Sequence, residues 1–173
     1  LDKEKQNLLN KKAALEAIKS LEKKAEKLNI SAEWLSPYTN AAQKEIQKKA
    51  KQFKRKYAFY DCNFTALKKV TEEQGYVIVE YNHILNDNSV KTLIDSLGLQ
   101  EYISTSKGFT YVDKNHRIVF IHEDLNPEEK AKVLAHENGH IYLNHFSSSQ
   151  VIGKDVQEEY EANEFAHYLQ TNS

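Results

Sequence analysis

Two histidines four residues apart in a helical segment constrain this chain more than any other feature. Residues 136–140 read His-Glu-Asn-Gly-His, an HExxH pattern. A helix turns once every 3.6 residues, so His136 and His140 lie one turn apart on one face. Two imidazoles presented in this way can bind one Zn²⁺, and the intervening Glu137 can act as a base toward a water molecule. The alternative is an ordinary helix that exposes two polar side chains to solvent.

The residues before the pattern predict a capped helix around it. Asn126 is a typical N-cap, Pro127 occupies the first helical position, and Glu129 follows the cap by three residues. Helical spacing of apolar residues then continues to about residue 145. Residues 116–122 are rich in β-branched and aromatic residues and predict a strand, so the HExxH pattern lies deep in a helix that follows a strand.

The cysteine content limits the chemistry and the compartment. Cys62 is the single cysteine, so an intramolecular disulfide and a cysteine-based metal site are both excluded. We expect Cys62 to be a small, partly buried side chain rather than a nucleophile. No secretory signal is visible, although the chain begins with Leu1 and contains no Met, and a cytoplasmic location is the expectation.

Charge divides the chain into a basic and an acidic part. Residues 1–69 hold 17 Lys and Arg against 8 Asp and Glu, a net charge of +9, whereas residues 70–173 hold 7 against 17, a net charge of −10. This asymmetry favours a basic helical N-terminal extension, which we predict to comprise two helices at 1–62, followed at 63–173 by the domain that carries the HExxH pattern. No stretch is apolar enough to span a bilayer, so no membrane partner is expected.

The two predicted N-terminal helices each carry an apolar stripe. The first spans residues 1 to about 29, and the second spans about 40 to 60. Their stripes comprise Leu8, Leu15, Ile18, Leu21, Ala25 and Leu28, and Ala42, Ile46, Ala50, Phe53, Tyr57 and Tyr60, respectively. The opposite face of the second helix is basic. We interpret it as a solvated face, because no recognised nucleic-acid module surrounds it, and nucleic acid is not an expected partner.

The remaining patterns predict an α+β fold. A small, mostly antiparallel sheet is expected to pack against the HExxH helix and further helices. The predicted helices are 64–74, 89–97 and 155–170, and the predicted strands are 76–81, 109–112 and 117–121. The last two strands are joined by residues 113–116, which have the composition of a hairpin turn.

A catalytic zinc takes three protein ligands, so a third is expected on another element. The last helix offers Glu158, Glu159 and Glu161, which remain alternatives, and Glu159 shares a face with Asn163. Glu159 as ligand, with Asn163 orienting a histidine, is the most economical arrangement.

Other polar residues have less specific roles at this stage. An oxyanion donor is also required, and spacing does not choose among His145, Tyr160, His167 and Tyr168. The strand that ends at residues 121–122 is expected to pair with an extended substrate. Three further histidines, His83, His116 and His122, are expected at the surface or at loop edges.

These motifs together resemble the ImmA/IrrE family of zinc metallopeptidases. The HExxH pattern is followed by Glu-Tyr-Glu-Ala-Asn-Glu-Phe-Ala at 159–166, similar to that family's second motif, Glu-x-x-Ala-Asn-x-Phe-Ala. The resemblance covers roughly residues 64–170. It implies a small domain with a thermolysin-like (gluzincin-like) zinc core, with His136, His140 and Glu159 as zinc ligands and Glu137 as the catalytic residue.

The resemblance also implies a class of function. Members of the family cut or control repressors of bacterial mobile elements and prophages, or act in stress regulation. We therefore expect a zinc-dependent endopeptidase whose substrate is a regulatory protein, such as a helix-turn-helix repressor. Asn138 occupies a position that is usually apolar in the family and requires a polar partner. The alternative is a catalytically weak binding or sensing module that keeps the fold and regulates a protein partner.

Overall fold

The structure is a computed structural model that describes residues 2–27, 36–146 and 150–171. Within those ranges the chain forms seven helices and three strands. The helices are α1 (Asp2–Lys27), α2 (Ser36–Lys56), α3 (Phe64–Glu73), α4 (Asn88–Leu97), α5 (Gln100–Thr105), α6 (Pro127–Tyr142) and α7 (Val156–Gln170). The strands are β1 (Val77–Tyr81), β2 (Gly108–Val112) and β3 (Arg117–His122). The predicted α+β class is confirmed, and the short helix α5 is the one element that the sequence patterns did not predict.

The three strands form one mixed sheet in the order β1-β3-β2. β2 and β3 are antiparallel, as the hairpin pattern predicted, but β1 runs parallel to β3. The prediction of a mostly antiparallel sheet is therefore correct for the β2–β3 pair and wrong for the β1–β3 pair. The reason is the crossover of α4, α5 and β2 between β1 and β3, which brings the chain back in the same direction.

The central strand β3 is buried on both faces and divides the core in two. Val119 and Ile121 face a cluster formed with α2, α3, α6 and α7. Ile118 and Phe120 point to the opposite face, where they pack with residues of α4 and α5. Side chains alternate along a strand, so a central strand with helices on both sides needs a continuous apolar run, which is what residues 118–121 provide.

Helix α2 contributes to the larger cluster rather than standing apart from it. Ile46, Ala50 and Phe53 are buried in the same cluster as the residues of α6 and α7. The helix ends at Lys56, four residues before the predicted end. Tyr60, expected on the apolar face, is instead 75% exposed. The domain boundary at 62/63 stays a prediction, but α2 shares its core with the elements that follow.

Most residues of the apolar stripe predicted for the first helix have side chains that the structure does not describe. Of its six members, only Leu8 and Leu15 are described. Leu15 is buried, whereas Leu8 is 40% exposed. Lys12 forms an ion pair of 3.5 Å with Asp155, the residue that caps α7. Where this helix is described, the buried Leu15 and the Lys12–Asp155 pair therefore show that it packs on the rest of the molecule.

Asn138 lies on the face of α6 that packs against α3, and it is completely buried. Its amide nitrogen donates to Thr71 Oγ1 at 2.9 Å and to the carbonyl oxygen of Leu134 at 2.8 Å. Its amide oxygen accepts a hydrogen bond of 2.7 Å from Gln74 Nε2. The polar partner that Asn138 was expected to require is therefore supplied by α3. A satisfied polar group of this kind fixes the register between two helices more narrowly than apolar contacts do.

Helices α6 and α7 approach each other closely at Gly139. A Cβ atom at this position would lie 2.9 Å from Ala162 Cα and 3.0 Å from its carbonyl oxygen. These distances are shorter than van der Waals contact, so only glycine permits this separation of the two helices. The HExxH helix is thus fixed on one side by a polar network and on another by backbone contact.

We predict that replacing Phe53 by Ala lowers the free energy of unfolding by about 3–5 kcal/mol. Phe53 is fully buried, and its ring contacts those of Tyr57, Phe59, Tyr142 and Phe165 at centroid distances of 5.1–5.7 Å. Tyr60→Ala is the control and should cost less than about 0.5 kcal/mol because that side chain is exposed. Urea unfolding measures both, and a small loss for Phe53→Ala would mean that α2 is dispensable to the core.

We predict that Asn138→Leu lowers the free energy of unfolding by about 1–3 kcal/mol, because it leaves the buried Thr71 hydroxyl and the partly buried Gln74 amide without this partner. The double variant Asn138→Leu with Thr71→Val should recover part of this stability. In that variant positions 71 and 138 are both apolar, so the hydroxyl that had lost its partner is no longer present. A double-mutant cycle from urea unfolding gives the coupling. Strictly additive losses would show that the two side chains do not act as a pair.

Candidate metal centre

The two histidines of the HExxH pattern converge on one point. His136 and His140 lie one turn apart on α6, and their Nε2 atoms are 3.0 Å apart. Their rings meet nearly at right angles, with 4.6 Å between centroids. His140 is buried, whereas His136 is partly exposed to the cavity described below. This is the arrangement that the four-residue spacing predicted.

Glu159 reaches the same point from α7. Its Oε1 lies 3.0 Å from His140 Nε2, and its Oε2 lies 3.3 Å from His136 Nε2. The Asp155 carboxylate accepts hydrogen bonds from the backbone N–H groups of Gln157 and Glu158. This cap begins α7 at Val156, so Glu159 projects from its first turn toward the histidines.

The electrostatics of the cluster follow from this contact. Burial by itself raises the pKa of Glu159, but hydrogen bonds from His136 and His140 outweigh burial and hold that pKa well below its ordinary value. Burial likewise lowers the pKa of His136, yet hydrogen bonds to Glu159 and Asn163 and the nearby Glu137 charge raise it overall. Glu159 is therefore held in its ionised form, in which it can bind a cation together with the two imidazoles.

The donor set fits a zinc ion. Zinc–nitrogen and zinc–oxygen bonds of about 2.0–2.2 Å in tetrahedral geometry place neighbouring ligand atoms about 3.3 Å apart. The three contacts among His136, His140 and Glu159 measure 3.0–3.3 Å. The Glu137 carboxylate joins the two histidines in a group whose potential ligand atoms all lie within 4.8 Å of one another. Two imidazoles and a carboxylate are also a donor set that catalytic zinc commonly uses.

Glu137 points toward the sheet rather than along α6. It is buried, and its Oε1 accepts a hydrogen bond of 2.8 Å from Thr110 Oγ1, which lies in the middle of β2. Thr110 therefore fixes one carboxylate oxygen and leaves the other available. The sequence did not single out Thr110, and only the packing of β2 against α6 shows its position.

A second chain of polar groups lies behind His140. Its Nδ1 is 2.9 Å from His145 Nδ1, and His145 Nε2 is 2.7 Å from Glu161 Oε2. A metal-ligating histidine commonly bonds another residue through its second ring nitrogen, which fixes its tautomer and orientation. His145 therefore serves as an orienting partner of His140, a role that the sequence patterns did not assign to it.

The end of α6 explains how His145 reaches this place. The helix was predicted to run to about residue 145, but it ends at Tyr142 because Asn144 adopts a left-handed conformation with φ of 59°. The N–H groups of Asn144 and His145 donate to the carbonyl oxygens of Ile141 and His140, which is the Schellman motif. The chain thus folds back, and His145 lies against the ring of His140.

Gly153 closes the other side of the same ring. A Cβ atom at this residue would lie 2.2 Å from both Cε1 and Nδ1 of His140, and its φ is 76°. Any side chain here would displace the imidazole, so the backbone conformation and the close approach both require glycine.

The other predicted candidates lie elsewhere. Glu158 is buried, and Glu161 contacts His145 rather than the two ligand histidines. None of the four residues considered as oxyanion donors lines the cavity. His122, expected at the surface, is buried at the end of β3 beside Tyr81 and His83, so that prediction is wrong. His83 is exposed and His116 is partly exposed, as predicted.

His136, His140 and Glu159, which together form the candidate metal cluster, line an open cavity of about 340 Å³. It is lined by Ser106, Lys107, Gly108, Lys132, Val133, His136, Glu137, His140, Ile152, Lys154, Glu159 and Asn163. Strand β3 was expected to pair with a substrate, but it is central and has both neighbours in place. The edge beside the cavity belongs to β2, whose outer side is covered at residues 110–112 by residues 150–152.

Cys62 offers no competing nucleophile. The thiol is partly buried, and burial raises its pKa to about 11. It is therefore protonated at neutral pH, when the thiolate would be the reactive form. The prediction that Cys62 has a packing role is consistent with its contact with the larger core cluster.

Comparisons with known proteins extend these observations. Residues 93–173 match the family model Peptidase_M78, described as the IrrE N-terminal-like domain. No curated protein and no solved structure matches the chain. No helix among the described residues is long and apolar enough to cross a membrane. The matched segment contains both the HExxH pattern and the second motif at 159–166, so residues 93–173 are similar to IrrE N-terminal-like domains.

Proposed function

We propose that this protein is a zinc-dependent endopeptidase that acts on a regulatory protein. The observation that carries the proposal is the convergence of His136 Nε2, His140 Nε2 and the Glu159 carboxylate within 3.0–3.3 Å at the floor of an open cavity. Glu137 lines the same cavity, where a general base is needed. The family match supports a metallopeptidase-like domain.

In this proposal the chain supplies the ligands and the base. A bound Zn²⁺ polarises the scissile carbonyl and lowers the pKa of water toward neutrality. Glu137 takes a proton from the attacking water and returns it to the leaving amine. Because Oε1 accepts the Thr110 hydrogen bond, Oε2 is the oxygen that carries this proton. Thr110 and the chain of His145 and Glu161 hold the base and one ligand in place.

The open edge of β2 supports a polypeptide substrate. Residues 106–108 line the cavity and lie before the part of β2 that residues 150–152 cover. Antiparallel pairing at Gly108 would hold an extended segment across the metal, because the Ser106 backbone and the Lys107 carbonyl are already hydrogen-bonded within the chain. The resemblance to the ImmA/IrrE family makes a repressor of a mobile element or prophage the expected kind of substrate.

The alternative, a catalytically weak binding module, is supported by Asn138 and by the long basic N-terminal helices, and the structure bears on Asn138. This side chain is buried away from the cavity and is fully engaged with α3. It therefore stabilises the helix that carries the histidines and gives no reason to expect an impaired site.

We predict one zinc per chain in the protein, measured by elemental analysis after dialysis against zinc-containing buffer. Glu159→Gln and His140→Ala should each weaken zinc affinity by a factor of at least about 100, because each removes a ligand. Glu158→Gln and Glu161→Gln are the matched controls and should keep stoichiometric zinc, with at most about a tenfold weaker affinity for the second. If Glu158→Gln or Glu161→Gln lost zinc while Glu159→Gln kept it, the third ligand would have to be reassigned to the residue whose replacement removed the zinc.

We predict that Glu137→Gln keeps zinc but loses a factor of about 100 or more in peptidase kcat, because an amide cannot accept the proton. Thr110→Val, which leaves the base in place but free to rotate, should lose less. Cleavage of a denatured protein mixture, followed by mass spectrometry, measures both. A zinc-loaded wild-type chain with no more activity than Glu137→Gln would favour the binding module.

A further inference from the structure

The cavity above the metal cluster is basic, although the surrounding part of the chain is acidic. Residues 70–173 contain seven Lys and Arg residues and carry a net charge of −10. Three of those seven, Lys107, Lys132 and Lys154, line this single cavity. The concentration of positive charge at the cavity is therefore a local property and does not follow from the composition.

The three lysines come from different elements and surround the metal cluster. Lys107 precedes β2, and its backbone is fixed by a hydrogen bond from the His122 N–H to its carbonyl oxygen. Lys132 lies on α6 one turn before His136, on the same face. Lys154 follows Gly153, whose backbone packs against His140. Each side chain is exposed, but each begins from a fixed backbone position beside the site.

Their charges are only weakly compensated by the protein itself. Lys107 and Lys132 have Glu129 and Glu128 at 4.0 and 3.9 Å, and in both pairs the partners are exposed. Lys154 lies over the ring of Tyr102 at 5.3 Å, and no carboxylate in the described ranges lies within 4.0 Å of its ammonium group. Lys130, by contrast, lies outside the cavity and holds Glu80 at 2.6 Å.

The acidic residues that line the cavity are already engaged. They are Glu137, which accepts from Thr110, and Glu159, which contacts both ligand histidines. With a divalent cation held by the cluster, the positive charges of the cavity exceed the negative ones. The cavity would therefore repel positively charged residues of a bound peptide segment and attract negatively charged ones.

We propose that the cavity selects acidic peptide segments, with Asp or Glu within two residues of the scissile bond, and that Lys107, Lys132 and Lys154 determine this specificity. This inference rests on the proposed function, since it names the substrate class of the same site. An exposed ion pair contributes a factor of about 1.5 to 5 in affinity. A segment that engages two of the lysines should therefore be preferred by about tenfold.

The first test uses a library of undecapeptides with randomised positions, incubated with the zinc-loaded chain. Mass spectrometry of the products then gives the residues on either side of each cleaved bond. We expect Asp and Glu to be enriched there, and the enrichment to diminish as the KCl concentration rises. Cleavage without such enrichment overturns the inference and leaves the proposed peptidase function standing.

Charge-reversal variants supply the matched control. Lys107→Glu, Lys132→Glu and Lys154→Glu combined should abolish or invert the preference for acidic residues. The control combines Lys44→Glu, Lys48→Glu and Lys51→Glu on the exposed face of α2, which changes the net charge by the same amount away from the cavity. It should cleave like the wild type. An unchanged preference in the cavity variant, or an equal change in the control, overturns the assignment.

A binding measurement separates failure of the inference from failure of the proposed function. Two undecapeptides are compared that differ only at the four central flanking residues, Glu in one and Lys in the other. Their affinities for zinc-loaded Glu137→Gln are measured by fluorescence anisotropy. About tenfold tighter binding of the Glu peptide, without cleavage by the wild type, would keep the charge selection and reject the peptidase. Equal or absent binding of both peptides would reject the charge selection.

Discussion

The close approach of α6 and α7 at Gly139 and Ala162 is the contact on which the rest of the site depends. His136 and His140 lie on α6 and Glu159 lies on α7, so a metal site that uses all three exists only where the two helices meet. Their nitrogen and oxygen atoms meet within 3.3 Å only because the helices approach to a distance that excludes a Cβ at residue 139. Backbone contact of this kind is less adjustable than contact between long side chains, so it sets the geometry of the donor atoms firmly.

Two polar networks hold α6 in the orientation that this contact requires. On the α3 side, Asn138 bonds Thr71 and Gln74, which fixes the rotation of the helix. On the β2 side, Thr110 donates a hydrogen bond to Glu137 and ties the Glu137 carboxylate to the sheet. Buried polar groups are costly when unpaired and directional when paired, so each network favours one arrangement of the helix over its neighbours. The HExxH helix is thus positioned by side chains that do not themselves touch the cavity floor.

The parts of the structure that the sequence predicted are those set by local periodicity and capping. The Asn126 cap and Pro127 start of α6 and the β2–β3 hairpin both follow from short patterns. The four-residue spacing of His136 and His140 likewise predicted that their imidazoles lie close together on one face of α6. The parallel pairing of β1 with β3, the partners of Asn138 and the placement of Thr110 depend on residues far apart in the chain. His145 was missed as a partner of His140 because Asn144 ends the helix by a left-handed turn, which periodicity alone does not report.

The placement of all three ligand residues on two neighbouring helices has a consequence for how the molecule opens. An ion bound between α6 and α7 stabilises only those states in which the two helices remain together, in proportion to its free concentration. Local unfolding that releases α4 and α5 from their own core cluster leaves His136, His140 and Glu159 in place. The free energy of such local unfolding is therefore not changed by the bound ion. The concentration of the metal ion would therefore change amide exchange protection most in α6 and α7 and least in α4 and α5, on the far face of the sheet. The two sides of the sheet would thus differ in how strongly their local stability depends on the ion.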